Sequence, residues 1–166
     1  MKNRILGIVV LVLAAFSAYA QQPNPASDFR FRERNGEITI TGYNNEVKKD
    51  VVIPERINNL PVTVIGQFSF EGDELTSVII PDSVTSIERN AFAKNQLTSV
   101  IIPNSVITIK GSAFYENLLT SVTIPNSVTA IGGEAFSKNQ ITSVTVPKSA
   151  NVSRTVFDEG VKITKQ

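Results

Sequence analysis

Phenylalanine recurs every 22 residues along this 166-residue chain, at Phe70, Phe92, Phe114 and Phe136, with a fifth, Phe157, 21 residues further on. Pro81, Pro103, Pro125 and Pro147 keep the same step, as do Leu75, Leu97, Leu119 and Ile141. A fixed period between about 20 and 50 residues marks a solenoid, whose units bury their apolar faces only against one another. No single globular packing requires such spacing.

Within one unit the apolar positions are Leu75, Val78, Ile80, Val84, Ile87, Ala91 and Phe92. In LTSVII, Val78 and Ile80 face one way and Ser77 and Ile79 the other, which predicts a short strand. Pro81 has no N–H to donate and ends that ladder; Pro-Asp-Ser, and Pro-Asn-Ser in later units, supplies a turn. Ile87 to Phe92 then returns the chain, as a second short extended piece followed by a helical or 3-10 turn carrying Ala-Phe. Strands of successive units pair in parallel about 4.8 Å apart, and each Phe rests on the next. Asn95, Asn117 and Asn139 also recur at this step. They read either as a ligand-contacting column or as a ladder satisfying turn backbone, and Asn favours such local bonds.

A solenoid needs lids. At the front, Phe29 and Phe31 alternate with Arg30 and Arg32, Ile38 and Ile40 with Thr39 and Thr41, and Asn35-Gly36 sits between, the strongest short hairpin signal. Residues 28–50 are therefore an N-terminal capping hairpin. Residues 51–157 hold the repeats, the first carrying five extra residues in a loop around Arg56–Leu60. Residues 158–166 form a C-terminal cap, in which Val161 and Ile163 suggest a last strand flanked by Lys162 and Lys165. Residues 21–27 read as a flexible leader. Residues 1–20 read as a secretory signal peptide: Lys2 and Arg4, an apolar run from Ile5 to Phe16, then Ala18-Tyr19-Ala20. That run is 12 residues, short of the ~17–25 that span a bilayer, so stable membrane insertion after cleavage is not expected.

Without residues 1–20 the chain keeps 14 of its 16 basic residues against 15 acidic, a net charge of −1. With no basic cluster, nucleic acid is a poor candidate partner. The chain contains no Cys, His or Trp, so no disulfide staples it and the commonest acid–base residue and metal ligand is missing. Serines are plentiful but have no His or Cys partner. Asp82, Glu88, Glu116 and Glu134 fall at different repeat phases, Gly132-Gly133 is too short for a phosphate loop, and Asp158-Glu159 is an isolated pair. No catalytic residue, cofactor or metal site is expected.

The pattern LxxVxIPxSVxxIxxxAF resembles the BspA-type leucine-rich repeat over residues 51–157, and ITITGYNNEVKKDVVIP resembles that family's usual lead-in. The resemblance implies a right-handed leucine-rich-repeat solenoid. It would carry a parallel β-sheet on one side and short extended, 3-10 or helical turns on the other. It also implies a surface protein, some family members being implicated in adhesion to host extracellular matrix or to other cells. On the sheet face the outward positions are Ser77, Ser99, Ser121 and Ser143 in one column and Ile79, Ile101, Thr123 and Thr145 in the next. These eight are the candidate partner-binding residues, for a protein or a glycan; they also suit a merely solvated strand. The expected function is an exported, non-catalytic binding or adhesion module, periplasmic, surface-bound or secreted. The alternative is a structural or self-associating envelope protein.

Overall fold

The computed structural model describes residues 22–44 and 48–166; the expected signal peptide lies outside the described residues. The strands, in chain order, are β1 (Phe29–Arg34), β2 (Glu37–Tyr43), β3 (Asp50–Val52), β4 (Arg56–Ile57), β5 (Leu60–Ile65) and β6 (Ser77–Ile79). They continue as β7 (Ser86–Ile87), β8 (Thr108–Ile109), β9 (Ala130–Ile131), β10 (Ser143–Val146), β11 (Asn151–Val152) and β12 (Lys162–Lys165). The chain winds as a solenoid whose coils stack through three walls.

The first wall is the continuous sheet β1-β2-β5-β7-β8-β9-β11. Its register sets Ile65, Ile87, Ile109 and Ile131 side by side on the inner face. This continuous ladder runs through the SVxxI segment, not through LTSVII as the sequence predicts. The residues on either side of SVxxI also bond coil to coil, Thr85 to Thr63 and Glu88 to Ile65 for example, which extends the ladder at both ends. LTSVII is bonded coil to coil at its front, Gln96 to Leu75 and Leu118 to Leu97, but cannot extend at its far end, where Pro81, Pro103 and Pro125 follow with no N–H.

The second wall is therefore interrupted. β3 pairs with β6, a single bridge joins Ile101 to Thr123, and β10 pairs with β12, all in parallel. The third wall carries the phenylalanines. Here the sequence predicts a helical or 3-10 turn, but the chain alternates into the left-handed region at Phe68, Asn90, Ser112 and Glu134, and again at Gly72, Lys94, Glu116 and Lys138. That alternation points every second N–H along the solenoid axis, while those between, Ser69 to Gly66 and Ala91 to Glu88 for example, bond back within their own coil. Phe70 donates to Ala91, Phe92 to Ala113 and Phe114 to Ala135 at 2.8–2.9 Å. A helix would have turned those bonds back into its own coil.

Inside, Phe70, Phe92, Phe114, Phe136 and Phe157 stack with centroids 5.0–5.5 Å apart and planes within 14° of parallel. The asparagines form the second expected column. Asn95 Oδ1 accepts the Leu75 N–H at 2.9 Å, while its Nδ2 donates to the carbonyls of Phe70 at 2.7 Å and Phe92 at 3.0 Å. Asn117 and Asn139 repeat this one coil further on each time. Each amide thus satisfies buried backbone in two coils, the structural of the two readings.

At the front, the β1–β2 hairpin turns at Asn35 (φ 54°) and Gly36 (φ 77°), and the Phe29 and Tyr43 rings close the stack over Phe70. The five extra residues of the first coil are a second tight hairpin, β4 against β5 through Asn58 and Asn59, both left-handed, in place of the expected loop. The leader expected to be flexible is held at Asn24. Its N–H donates to Val52 O and its Oδ1 accepts the Val52 N–H, each at 2.9 Å, so one residue completes the outer edge of β3 as a strand would. At the far end β12 is the expected last strand, but it exposes all four side chains, including Ile163.

Candidate binding face

Every one of the eight positions chosen from sequence lies on the outer face of the second wall. Register places Ser77 beside Asp50 and Ile79 beside Val52, and at the other end Ser143 beside Lys162 and Thr145 beside Thr164. Two rows therefore run the length of the molecule. One is Asp50, Ser77, Ser99, Ser121, Ser143 and Lys162; the other is Val52, Ile79, Ile101, Thr123, Thr145 and Thr164. Asp50, Val52, Lys162 and Thr164 are members that the sequence reading missed. VVIP at 51–54 repeats the VIIP of 78–81 and could have supplied the first two; the last coil lacks the proline that marks register.

The rows alternate because the strand does. Val78, Val100, Val122 and Val144 are buried beneath them, which forces the intervening side chains outward. Ile101 is 84% exposed and Ile79 47%, unlike any apolar residue of the stack beneath. Where the ladder is broken, the coils part. One hollow, about 340 Å³, lies between the Ser77–Ile80 and Ser99–Ile101 segments. A second, about 560 Å³, lies between the Val122–Ile124 and Ser143–Thr145 segments, with Lys162, Thr164 and Gln166 at its rim.

The two sheet faces differ in how their hydroxyls are used. On the continuous sheet, Ser86 and Thr108 share a hydrogen bond of 2.9 Å, Ser86 bonds Glu88 at 2.7 Å, and Thr63 donates to Glu37 at 3.1 Å. On the second wall, Thr76 and Ser77 donate to Asp50 at 2.7 and 2.8 Å. These two bonds hold the Asp50 carboxyl below the ordinary aspartate value. The hydroxyls of Ser99, Ser121, Thr123, Ser143 and Thr145 bond to no other described residue. They are left for solvent or a partner.

Two of the carboxylates set aside in the sequence reading link neighbouring coils. Glu116 lies 3.9 Å from Lys138, and Asp158 accepts the Lys138 N–H at 2.8 Å and the Asn139 N–H at 3.2 Å. Gly132 is where two coils touch, since a Cβ there would come within 2.4 Å of the Gly111 nitrogen. Among the described residues no cluster of Asp and Glu could hold a metal ion, and no helix is long and apolar enough to cross a membrane.

A stacked-coil fold with a 22-residue unit and an outward strand face defines a leucine-rich-repeat solenoid. The chain belongs to the BspA type leucine rich repeat family, whose model matches residues 38–164 in six copies. The match reaches into β2 and β12, beyond the 51–157 seen in the sequence. The structure is similar to the leucine-rich repeat protein of T. pallidum, with TM-score 0.73 and 26% identity over 85% of this chain and 67% of that one. It is also similar to a leucine-rich repeat protein of Bacteroides capillosus, with TM-score 0.59 and 25% identity over 86% and 97%. The pneumococcal vaccine antigen PcpA shares the fold at TM-score 0.58 and 16% identity, over 87% of this chain and 48% of that one. No curated protein matches the chain. Leucine-rich-repeat proteins are typically protein-interaction modules.

Proposed function

We propose that this protein is an exported, non-catalytic module that holds a protein or glycan partner on the outer face of the second wall. The observation that carries the reading is the contrast between the two faces. On the continuous sheet Thr63, Ser86 and Thr108 spend their hydroxyls on neighbours, and the second wall leaves those of Ser99, Ser121, Thr123, Ser143 and Thr145 unspent beside the exposed Ile79 and Ile101. Small hydroxyls admit close approach and bond adaptably, and exposed apolar area rewards its own covering. Export rests on the residue pattern of 1–20, and adhesion at a surface on the family likeness. The test replaces Ile79, Ile101, Thr123 and Thr145 together by Lys. All four point outward, so the circular dichroism spectrum should stay unchanged while capture of the natural partner from the producing cell's surroundings is lost. Capture at the wild-type level refutes this face.

A further inference from the structure

The front hairpin ends the continuous sheet with a charged edge that nothing in the chain answers. β1 is the outermost strand, and among the described residues no backbone group of 30–34 bonds outside the β1–β2 pair. Every second N–H and C=O of that stretch therefore faces an open side. The register irregularity at Arg30/Phe31 puts its extra residue, Thr41, on β2, so β1 itself is not bulged. Arg30, Arg32 and Arg34 alternate onto one face, about 7 Å apart at ~3.4 Å per residue, and all three are exposed. None of them forms an ion pair among the described residues. Glu37, opposite Arg34, turns to β5, where it accepts the Thr63 hydroxyl at 3.1 Å. The Arg30 guanidinium lies over Gly42, where a Cβ would come within 2.4 Å of it. On the reverse face Phe31 packs on the core yet stays partly exposed, with Glu33 beyond it towards the turn.

Charge on an edge strand discourages pairing with a like edge. On β12, Lys162 and Lys165 fall on opposite faces and guard both. On β1 three like charges share one face and repel one another, which guarding alone does not require. Antiparallel pairing of two β1 strands would set arginine against arginine, so this edge rejects a second copy of the chain. We propose that the open side of β1 takes a strand of a partner polypeptide in which acidic and apolar residues alternate. Its acids stand beside Arg30, Arg32 and Arg34, and an apolar residue covers Phe31. Directly opposed residues of paired strands bring their Cβ atoms within about 5 Å, close enough for guanidinium and carboxylate to bond in pairs. Strand addition supplies the backbone bonds, and the shared two-residue period keeps the charges matched along the edge. This surface is separate from the second wall.

The test uses a fluorescein-labelled octapeptide that alternates Glu and Val, and its block isomer with all Glu before all Val. By anisotropy the alternating peptide should bind at least tenfold more tightly than the block isomer. In hydrogen exchange followed by NMR, the β1 amides on the open side should become protected when it binds. The triple variant Arg30→Glu, Arg32→Glu, Arg34→Glu should lose the peptide at least tenfold and gain an alternating Lys–Val octapeptide instead. Arg89→Glu, also exposed, should keep wild-type affinity. The four-lysine variant of the second wall should keep it as well, which separates this proposal from the reading of that wall. No binding, equal affinity for the two isomers, or unaltered exchange in β1 overturns the proposal. So does tighter binding of a heparin hexasaccharide than of the alternating peptide, which would assign the arginines to an acidic glycan.

Discussion

At the scale of single residues, two outward positions at opposite ends of one row set the electrostatics of the face. Asp50 is exposed, yet its carboxylate accepts two hydroxyls, and those bonds depress its pKa. A depressed folded pKa means that the bonds stabilise the fold above the ordinary aspartate range, about pH 4. The contribution is lost as pH falls through the lowered value. Asp50→Asn should therefore melt below wild type at pH 6, with the gap closing as pH is taken towards 2. Thermal melts across that range check it; a gap that does not depend on pH would show that the carboxylate charge is not what the hydroxyls hold. Between about pH 5 and 8 the gap should stay constant, because the chain has no histidine to titrate there. The asparagines act on the same scale but inward: each closes backbone groups of two coils, Asn95 and Asn117 from buried positions.

At the scale of elements, the column is the unit of stability rather than the strand. Most strands here are two or three residues long and could not persist alone. What fixes them is the column of inner side chains in register with its neighbours. Phe114 has a stacked ring on each side, at 5.2 and 5.3 Å. Phe114→Ala should cost about 3–5 kcal/mol, as large-to-small changes of buried aromatics do. Phe157 has only one stacked neighbour in the column, so its truncation should cost less. Urea unfolding of the two variants measures the difference; a loss under about 1 kcal/mol at Phe114 would mean that the column is not core. The phenylalanine, proline and asparagine columns were legible in the sequence because a side chain that must repeat in space repeats in the chain. The choice of continuous ladder was not. LTSVII and SVxxI both have strand composition, and which one zips depends on the backbone bonds available just outside each, a matter of coil geometry.

At the scale of the whole molecule, the two ends are finished differently. The front is sealed three times over: by the hairpin against β5, by Phe29 and Tyr43 over the ring stack, and by Asn24 along β3. The back ends in β12, where Ile163 remains 46% exposed and Lys162 and Lys165 supply the charge that discourages edge pairing. Self-association, the alternative role, would use these ends. Sedimentation velocity should find the wild-type protein monomeric, and Asn24→Ala, which removes the side-chain acceptor of the Val52 N–H, should form larger species as concentration rises. A strict monomer in both would show that an open β3 edge does not recruit a second chain. A wild-type oligomer would favour the structural role.

The sequence by itself determined the repeat, its 22-residue length, the inward columns and the eight outward candidates, since periodicity in a chain that must bury its apolar side chains fixes which of them point in. Only the tertiary structure decided that the candidate wall is broken into two hollows and that the first and last coils lengthen both rows. It alone showed that Asn24 acts as a strand and that five hydroxyls of the second wall are left unbonded. Each of these depends on which backbone and side-chain groups of different coils come within hydrogen-bonding distance, and residues some 20 positions apart meet only once the chain has wound.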